Sequence, residues 1–199
     1  MNLFVTGTDT DAGKTTVSAW ICSNIKTKYW KLIQTGNDSD ASTVKKFAPN
    51  TEIISELYRL KAPLSAYDAA KIENISIDTK KFQTDHDKIV IEGAGGLFVP
   101  IADHFLMIDA IQRTNSAALL VTRSKLGMIN HVLLSVSALK NRDIPMIGIV
   151  VCGKIEENIK RTIEHFSQES ILTVLPESEN LAQLFANTPV PSKILEVLT

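Results

Sequence analysis

The first sixteen residues constrain this chain most, because they place a glycine-containing loop between an apolar strand pattern and a helix pattern. Residues 3–5 are apolar, and Gly7-Thr8-Asp9-Thr10-Asp11-Ala12-Gly13-Lys14-Thr15-Thr16 leads into the helix pattern. Backbone N–H groups at a helix start have no partner within the helix and carry the positive end of its dipole. The segment is therefore typical of a phosphate-binding loop, with Lys14 reaching the β- and γ-phosphates and the Thr15 hydroxyl available to Mg²⁺.

This loop departs in one respect from the usual pattern, in which four residues separate the two glycines. Five residues separate Gly7 from Gly13, so Thr8 stands where the first glycine is expected. The alternative interpretation is a Gly-Lys-Thr turn that joins a strand to a helix and binds no phosphate. The flanking strand and helix patterns favour the phosphate-binding loop, because they supply the context that this chemistry requires.

Short apolar runs alternate with longer helix patterns along the rest of the chain. The predicted strands cover residues 2–7, 29–34, 88–92, 117–122, 145–151 and 171–175. The predicted helices cover residues 14–27, 40–48, 64–72, 78–86, 106–114, 128–141, 156–167, 179–186 and 192–198. This order predicts an α/β fold of the phosphate-loop NTPase type, a doubly wound, mostly parallel sheet with helices on both faces. We expect residues 1–199 to form a single domain, in which residues 49–62 are the least regular part.

Composition and charge narrow the classes of function. Hydrophobic residues make up 44% of the 199 residues, as in a globular protein with a substantial core, and the net charge is −1. Neither a nucleic-acid-binding nor a membrane-binding surface is indicated. There is no signal-peptide pattern, and Cys22 and Cys152 lack metal-ligand spacing, so we expect free thiols in a reducing, cytoplasmic compartment.

A second cluster of chemistry-bearing residues follows the second predicted strand, at an edge where ligands of such sheets bind. Lys31 precedes Gln34-Thr35-Gly36. It is either an edge-strand lysine that points into water or a paired, functional cation, since burying an unpaired ammonium costs several kcal/mol. Asp40 follows at the start of a helix pattern and is either part of a helix cap or an acceptor for Mg²⁺ or its water.

Two more clusters follow later strands. Glu92 ends an apolar strand and precedes Gly93-Ala94-Gly95-Gly96, so its carboxylate could ligate or orient Mg²⁺ while the glycines let a phosphate approach the backbone. Residues 125–131 open a helix whose free N–H groups could hold a substrate carboxylate, with Asn130 as a further donor. Plain helix initiation is the alternative for this segment, and His131 is assigned no role.

These segments together resemble the dethiobiotin synthetase family, ATP-dependent enzymes of biotin biosynthesis. The matching segments, in chain order, are Phe4 to Thr15 with its five-residue spacing, Lys31 with Gln34-Thr35-Gly36, Ser39-Asp40-Ala41, Glu92-Gly93-Ala94-Gly95-Gly96 and Leu126-Gly127-Met128-Ile129-Asn130-His131. A phosphate-binding loop alone would be unspecific, whereas this ordered set is highly specific.

The resemblance implies ATP and Mg²⁺ as cofactors and 7,8-diaminononanoate and CO2 as substrates. The diamine takes up CO2 as a carbamate, and the carbamate attacks the γ-phosphate of ATP to give a carbamic–phosphoric anhydride. The second amine then closes the ureido ring and expels phosphate. In this family the substrate carboxylate is held by the neighbouring subunit, so a homodimer is implied.

The resemblance also implies roles for individual residues. The implied catalytic residues are Lys31, Lys14 and Thr10, and the implied metal set is Thr15, Asp40 and Glu92. The implied nucleotide contacts are Asp11, Ala12, Gly13, Lys14, Thr15, Thr16, Asp40, Glu92, Gly93, Ala94, Gly95, Cys152, Gly153 and Pro176. The implied substrate contacts are Thr10, Lys31, Thr35, Gly127, Met128 and Asn130.

Three positions depart from the family pattern. Asp11 stands where Glu is expected, and Leu32 replaces the usual Pro after the active-site lysine. Cys152-Gly153 stands where members that read adenine commonly carry Asn-Asp. A thiol is a poor hydrogen-bond partner for a base edge, so we expect weak discrimination between nucleobases.

Three other classes of protein with a phosphate-binding loop are alternatives to this family. A partition-type or scaffold-type ATPase, which binds partners, would carry a lysine where this chain has Asp9. A non-enzymatic nucleotide-binding module would leave Lys31 and residues 126–131 without a role. An amide-forming ligase of cofactor synthesis usually carries a glutaminase domain, for which 199 residues are too few.

Overall fold

The computed structural model describes residues Met1–Thr199 and contains one seven-stranded sheet and two small two-stranded sheets. The strands are β1 (Asn2–Gly7), β2 (Lys28–Lys31), β3 (Ile33–Thr35), β4 (Glu52–Ile54), β5 (Tyr58–Leu60), β6 (Val90–Gly96), β7 (Pro100–Ala102), β8 (Phe105–Leu106), β9 (Ser116–Arg123), β10 (Met146–Cys152) and β11 (Ile171–Leu175). The helices are α1 (Lys14–Asn24), α2 (Asp40–Phe47), α3 (Ala66–Ile72), α4 (Met107–Arg113), α5 (Met128–Lys140), α6 (Glu157–Ser167), α7 (Leu181–Asn187) and α8 (Ser192–Leu198). None of these helices is long and apolar enough to cross a membrane.

The large sheet has the strand order β11-β10-β9-β1-β6-β2-β4, and each neighbouring pair is parallel. β1 lies in the middle, between β6 and β9. The chain that leaves β1 passes over β6 to reach β2, so the loops after β1, β2 and β6 meet at one edge of the sheet. This is the doubly wound parallel sheet that the alternating pattern predicts.

Helices cover both faces of the sheet, as the unbroken apolar strands require. Alternate residues of β1 enter different cores: Leu3 and Val5 pack with the α1 side chain of Trp20, whereas Phe4 packs with Ile108 of α4. A third cluster joins α5 and α6 to β9 and β10. The sheet is therefore held rigidly from both sides, which fixes the position of the loops at its carboxyl edge.

The sequence-based prediction is wrong for residues 78–86 and for residues 49–62. Residues 78–86 form only one short 3-10 turn, Thr79–Lys81, instead of a helix. The next residue, Phe82, is fully buried, and its ring packs 5.4 Å from that of Phe105, so the chain turns inward. Residues 49–62 are more regular than expected, because they contain β4, which pairs with β2 at the sheet edge, and β5, which pairs with β3.

The predicted strand 29–34 is divided at Leu32, and its two parts belong to different sheets. The Leu32 N–H still donates to the Glu92 carbonyl at 3.1 Å, and its carbonyl accepts from the Leu57 N–H at 3.0 Å. The chain therefore moves from the large sheet to the small one without losing backbone hydrogen bonds. A proline at this position could not make the first of these bonds.

Candidate active site

The loop between β1 and α1 has the tight geometry that a phosphate-binding loop needs. Gly13 caps α1 with a φ of 99°, and a Cβ there would lie 2.5 Å from Cys152 Sγ, so only glycine fits. The Lys14 Nζ donates to the carbonyls of Asp9 and Thr10 at 2.9 and 3.0 Å. The lysine thus closes the loop around the start of α1, where its ammonium and the free amides converge.

Thr8 shows why the first glycine of the usual pattern is dispensable here. Its N–H donates to the Val121 carbonyl at 2.9 Å, and its hydroxyl donates to the Thr122 hydroxyl at 3.2 Å. These contacts extend the pairing of β1 with β9 by one residue beyond Gly7. The extra residue of the loop therefore lengthens the strand edge before the turn begins.

Lys31 lies at the centre of a buried ionic cluster. Parallel pairing of β2 with β6 places it directly beside Glu92, and its ammonium is 3.0 Å from Glu92 Oε1 and 2.5 Å from Asp40 Oδ2. It also donates to the Gly93 carbonyl at 2.9 Å. Lys31 is 3% exposed and β2 is an inner strand, so the interpretation as an edge-strand lysine pointing into water is wrong.

Two helices bring the remaining groups to this cluster. The Thr15 hydroxyl, in the first turn of α1, donates to Glu92 Oε1 at 2.9 Å. Asp40 is the first residue of α2, whose N-cap Ser39 accepts from the Ser42 N–H at 3.2 Å. The buried side chain of Gln34 accepts from the Asp40 N–H at 3.1 Å. Ser39 thus caps the helix, as one interpretation of this segment predicts, and the Asp40 carboxylate faces Lys31.

The charges of the cluster compensate one another. Burial alone would lower the pKa of Lys31, but Glu92 and Asp40 outweigh it and hold that pKa above its ordinary value. Burial would raise the pKa of Asp40, but the Lys31 ammonium outweighs it and the pKa lies below its ordinary value. Lys14 is less well paired: burial, and then repulsion from Lys31, lowers its pKa to about 8.

The donor set fits Mg²⁺ better than a transition metal. The structure contains no group of three or more His, Cys, Asp or Glu side chains arranged to hold a metal. Mg²⁺ needs fewer, because it is usually held by one or two carboxylates together with substrate phosphates and water. Thr15, Asp40 and Glu92 supply such hard oxygen atoms beside the phosphate-binding loop.

Tyr29 is a member of the cluster that the sequence analysis does not single out. Its hydroxyl donates to Glu92 Oε2 at 2.9 Å, and both side chains are fully buried. Burial, and then the negative charge of Glu92, raises the pKa of Tyr29 well above its ordinary value, so the phenol keeps its proton. The spacing in the sequence could have indicated this, because Tyr29 and Lys31 are two residues apart on a strand and so lie on the same face of the sheet.

Two clefts beside the phosphate-binding loop contain many of the implied contacts. One, of about 410 Å³, brings Thr10 together with Thr35, Ala94 and Gly95. The other, of about 230 Å³, is lined by Gly13, Thr16, Cys152, Gly153 and Pro176 among others. Most of the implied contacts thus lie in one of these two clefts or in the ionic cluster between β2 and β6. Two implied nucleotide contacts lie in neither, because the Asp11 side chain is exposed and Ala12 is buried in the core.

The segment before α5 makes no direct polar contact with the Lys31 cluster of its own chain. No hydrogen bond joins Gly127, Met128 or Asn130 to the Lys31 cluster, and the Met128 N–H is engaged by the Lys125 carbonyl at 3.0 Å. The connection to the phosphate-binding loop is an ion pair of 3.0 Å between Lys125 and Asp9. The start of α5 thus lies beside the phosphate-binding loop without a direct contact to the Lys31 cluster.

Comparisons with known proteins identify the relatives of this chain. A family model described as an AAA domain matches residues 1–184. An ATP-dependent dethiobiotin synthetase from Paramagnetospirillum magneticum is 40% identical over 196 residues, which cover 96% of this chain and 95% of that protein. The corresponding enzyme from Lawsonia intracellularis is 40% identical, with 88% of each chain covered.

Among solved structures, the fold is similar to that of the cell division protein MinD from Aquifex aeolicus. Its complex with MinC gives a TM-score of 0.54 at 14% identity, covering 92% of this chain and 84% of that chain. MinD alone gives 0.51 at 14% identity, covering 99% and 94%. At this identity the likeness concerns the fold, a parallel sheet with a phosphate-binding loop.

Proposed function

Because this chain belongs to the dethiobiotin synthetase family and is an ATP-dependent ligase, we propose that the cluster around Lys31 is where its carbamate substrate meets the γ-phosphate of ATP. The observation that carries this proposal is the burial of the Lys31 ammonium, 3.0 Å from Glu92 and two strands from the phosphate-binding loop. Residues 1–199 would act as one catalytic domain.

The phosphate-binding loop would hold the nucleotide. Lys14 and the amides at the start of α1 would bind the β- and γ-phosphates, while the base would enter the cleft that contains Cys152 and Pro176. Thr15, Asp40 and Glu92 would hold Mg²⁺, which neutralises charge on the phosphates when it is bound. The chain's own contribution is positioning and charge compensation, on which phosphoryl transfer mainly depends.

The substrates would be 7,8-diaminononanoate and CO2. One amine forms a bond to CO2 and loses a proton, which gives a carbamate whose oxygen then attacks the γ-phosphorus as ADP leaves. Lys31 would neutralise both the carbamate and the transferring phosphate. The second amine then attacks the carbonyl carbon, phosphate leaves and the ureido ring closes.

Hydroxyl groups would orient the diamine during these steps. Thr10 and Thr35 line the same cleft of about 410 Å³, which opens beside the glycines that follow Glu92. The substrate carboxylate would be held at the start of α5 by Gly127, Met128 and Asn130 of a second copy. The absence of a direct contact between this segment and the Lys31 cluster of the same chain supports a homodimer.

The test is phosphate release from Mg·ATP in bicarbonate, with and without 7,8-diaminononanoate. We expect release only with the diamine, and one dethiobiotin formed for each phosphate. Lys31→Met should abolish the diamine-dependent release. ATP hydrolysis at the same rate with and without the diamine would contradict the assignment of this cluster to carbamate transfer.

A further inference from the structure

We propose that Tyr29 is a positioning residue for the synthetase reaction, because its hydroxyl holds the Glu92 carboxylate with one oxygen directed at Lys31 and Thr15. This inference rests on the proposed function, since it concerns the same cluster. It assigns to Tyr29 no contact with substrate or nucleotide. Its effect would be transmitted entirely through Glu92.

The two oxygens of Glu92 have different partners. Oε1 accepts from the Thr15 hydroxyl at 2.9 Å and from the Lys31 ammonium at 3.0 Å, whereas Oε2 accepts from the Tyr29 hydroxyl at 2.9 Å. The terminal torsion of a glutamate is broad, so the carboxylate itself has little preference for one orientation. The Tyr29 hydroxyl, fixed beside Oε2, restricts the rotation of the carboxylate. Oε1 therefore stays directed at Thr15 and Lys31.

The strand register explains how a tyrosine reaches this carboxylate. Lys31 is paired with Glu92 across the parallel strands, whereas Tyr29 is paired with Val90. Side chains on strands stand roughly perpendicular to the sheet and lean along the strand. The long side chain of Tyr29 thus reaches one pair further along β6, to Glu92. It approaches the Glu92 carboxylate from the amino-terminal side of the strands, away from the carboxyl edge where the loops lie.

Burial makes the tyrosine hydroxyl hard to replace. Tyr29 and Glu92 are both fully buried, so bulk water does not reach the bond between them. A buried carboxylate oxygen that loses its donor bears the full cost of desolvation. Phenylalanine would fill nearly the same space without supplying a donor, so Tyr29→Phe removes the hydrogen bond and preserves the packing.

The experiment compares Tyr29→Phe with Tyr58→Phe. Tyr58 is the matched control, because its hydroxyl accepts from the Asp78 N–H at 2.8 Å outside the cluster. The measurements are kcat, the KM for the diamine, and the affinity for Mn²⁺ in the presence of ADP, followed by the electron paramagnetic resonance of free Mn²⁺. We expect Tyr29→Phe to lower kcat and Mn²⁺ affinity about tenfold or more, with the KM for the diamine unchanged. Tyr58→Phe should change none of them.

A double-mutant cycle separates positioning from a purely structural role. If Tyr29 acts through Glu92, then Tyr29→Phe combined with Glu92→Gln should cost no more in kcat than Glu92→Gln alone. Additive losses, or wild-type kcat and Mn²⁺ affinity in Tyr29→Phe, would overturn the positioning role while Glu92→Gln still impairs the enzyme. If Glu92→Gln itself leaves kcat and Mn²⁺ binding unchanged, the proposed metal set fails, and the role of Tyr29 fails with it.

Discussion

We expect Lys31 to stabilise the fold as well as to serve the proposed chemistry, because it lies between the buried Glu92 carboxylate and the partly exposed Asp40 carboxylate. Removing it leaves Glu92 buried without its countercharge, at 3.0 Å from where the ammonium stood, and leaves Asp40 unpaired. We expect Lys31→Met to lower the free energy of unfolding by about 3–5 kcal/mol, as for other broken buried ion pairs. Urea titration at neutral pH measures this loss.

The control for this prediction is the double variant Lys31→Met with Glu92→Gln. Neutralising the carboxylate removes the uncompensated charge, so the double variant should regain part of the lost stability while remaining inactive. A lysine that served catalysis alone would be dispensable for folding. Unchanged stability in Lys31→Met would therefore show that the cluster does not need its cation.

Cys22 gives the protein a pH dependence under alkaline conditions. Burial, with a smaller effect of Glu92, raises the pKa of this thiol from 9.0 to about 12. Above pH 9 the unfolded chain releases the thiol proton whereas the folded chain retains it, so stability falls as the pH rises. Between pH 8 and pH 10.5 we expect a loss of about 2 kcal/mol from this group.

The measurement is urea unfolding of the wild type and of Cys22→Ala at pH 8 and at pH 10.5. Cys22→Ala will be less stable at both values because it leaves a cavity, but it should lose about 2 kcal/mol less between them. Equal losses in the two proteins would show that the thiol ionises as readily in the folded chain as in the unfolded one.

Cys152 bears on the choice of nucleobase. It is 9% exposed, with Sγ packed against Gly13, so the side chain offers little to a base edge. We expect the kcat/KM values for ATP, GTP and CTP to lie within about a hundredfold of one another, a difference of about 2.7 kcal/mol. Cys152→Asn should increase the preference for ATP. A wild-type preference for ATP above that limit would contradict the prediction.

Elements with an unbroken apolar run or a clear cap were predictable from the sequence, whereas those that depend on distant partners were not. β1 and β11 lie where their apolar residues predict, because each run is short and continuous. β4 has only three residues and exists through its pairing with β2, which no local pattern records. The same limit applies to Phe82, whose burial against Phe105 ends the turn that precedes it.

The candidate site also has a part that the local sequence predicts and a part that depends on distant partners. The residue types at the strand ends indicate Lys31 and Glu92, and the start of a helix pattern indicates Asp40. Their distances depend on the register of β2 against β6, and Tyr29 enters the cluster only through that register. Motifs thus identify the chemical groups, and strand pairing supplies the contacts between them.

At the level of helices, α2 links a cap to the proposed metal set. Ser39 accepts from the Ser42 N–H at 3.2 Å and so fixes the turn in which Asp40 faces Lys31. Ser39→Ala should lower the free energy of unfolding by about 1 kcal/mol. It should also raise the Mg²⁺ concentration needed for half-maximal rate, which steady-state kinetics measures.

Asn180→Ala is the matched control for this prediction. Asn180 caps α7 by accepting from the Gln183 N–H at 3.1 Å, and α7 supplies none of the proposed metal ligands. It should lose similar stability without a change in the Mg²⁺ requirement. If both variants change that requirement equally, the effect follows stability and not the position of Asp40.

At the scale of the whole molecule, one face leaves large apolar side chains in water beside the phosphate-binding loop. Phe98, Leu126 and Leu134 are 60%, 103% and 61% exposed. Phe98 and Leu134 line a cleft of about 430 Å³ together with Asp9 and Thr10. Apolar side chains clustered on a surface are typical of an interaction site. Because this cleft is continuous with the phosphate-binding loop, we propose that a second copy covers it, as in the proposed function.

We therefore expect a dimer in sedimentation velocity experiments, and we expect Leu134→Glu to dissociate it. In a two-fold symmetric interface each substitution occurs twice, and each replaces the burial of a leucine, which contributes about 1.5–3 kcal/mol, with a buried charge. The monomeric variant should show a raised KM for the diamine, because the start of α5 in the partner would no longer reach the substrate carboxylate.

Phe166→Glu, at a side chain that is 67% exposed on α6, is the control and should remain dimeric and active. A wild-type protein that is monomeric at full activity would contradict this prediction, because the substrate carboxylate would then have to be bound within one chain. Gly127 and Asn130 would in that case have to bind it in the site of their own chain.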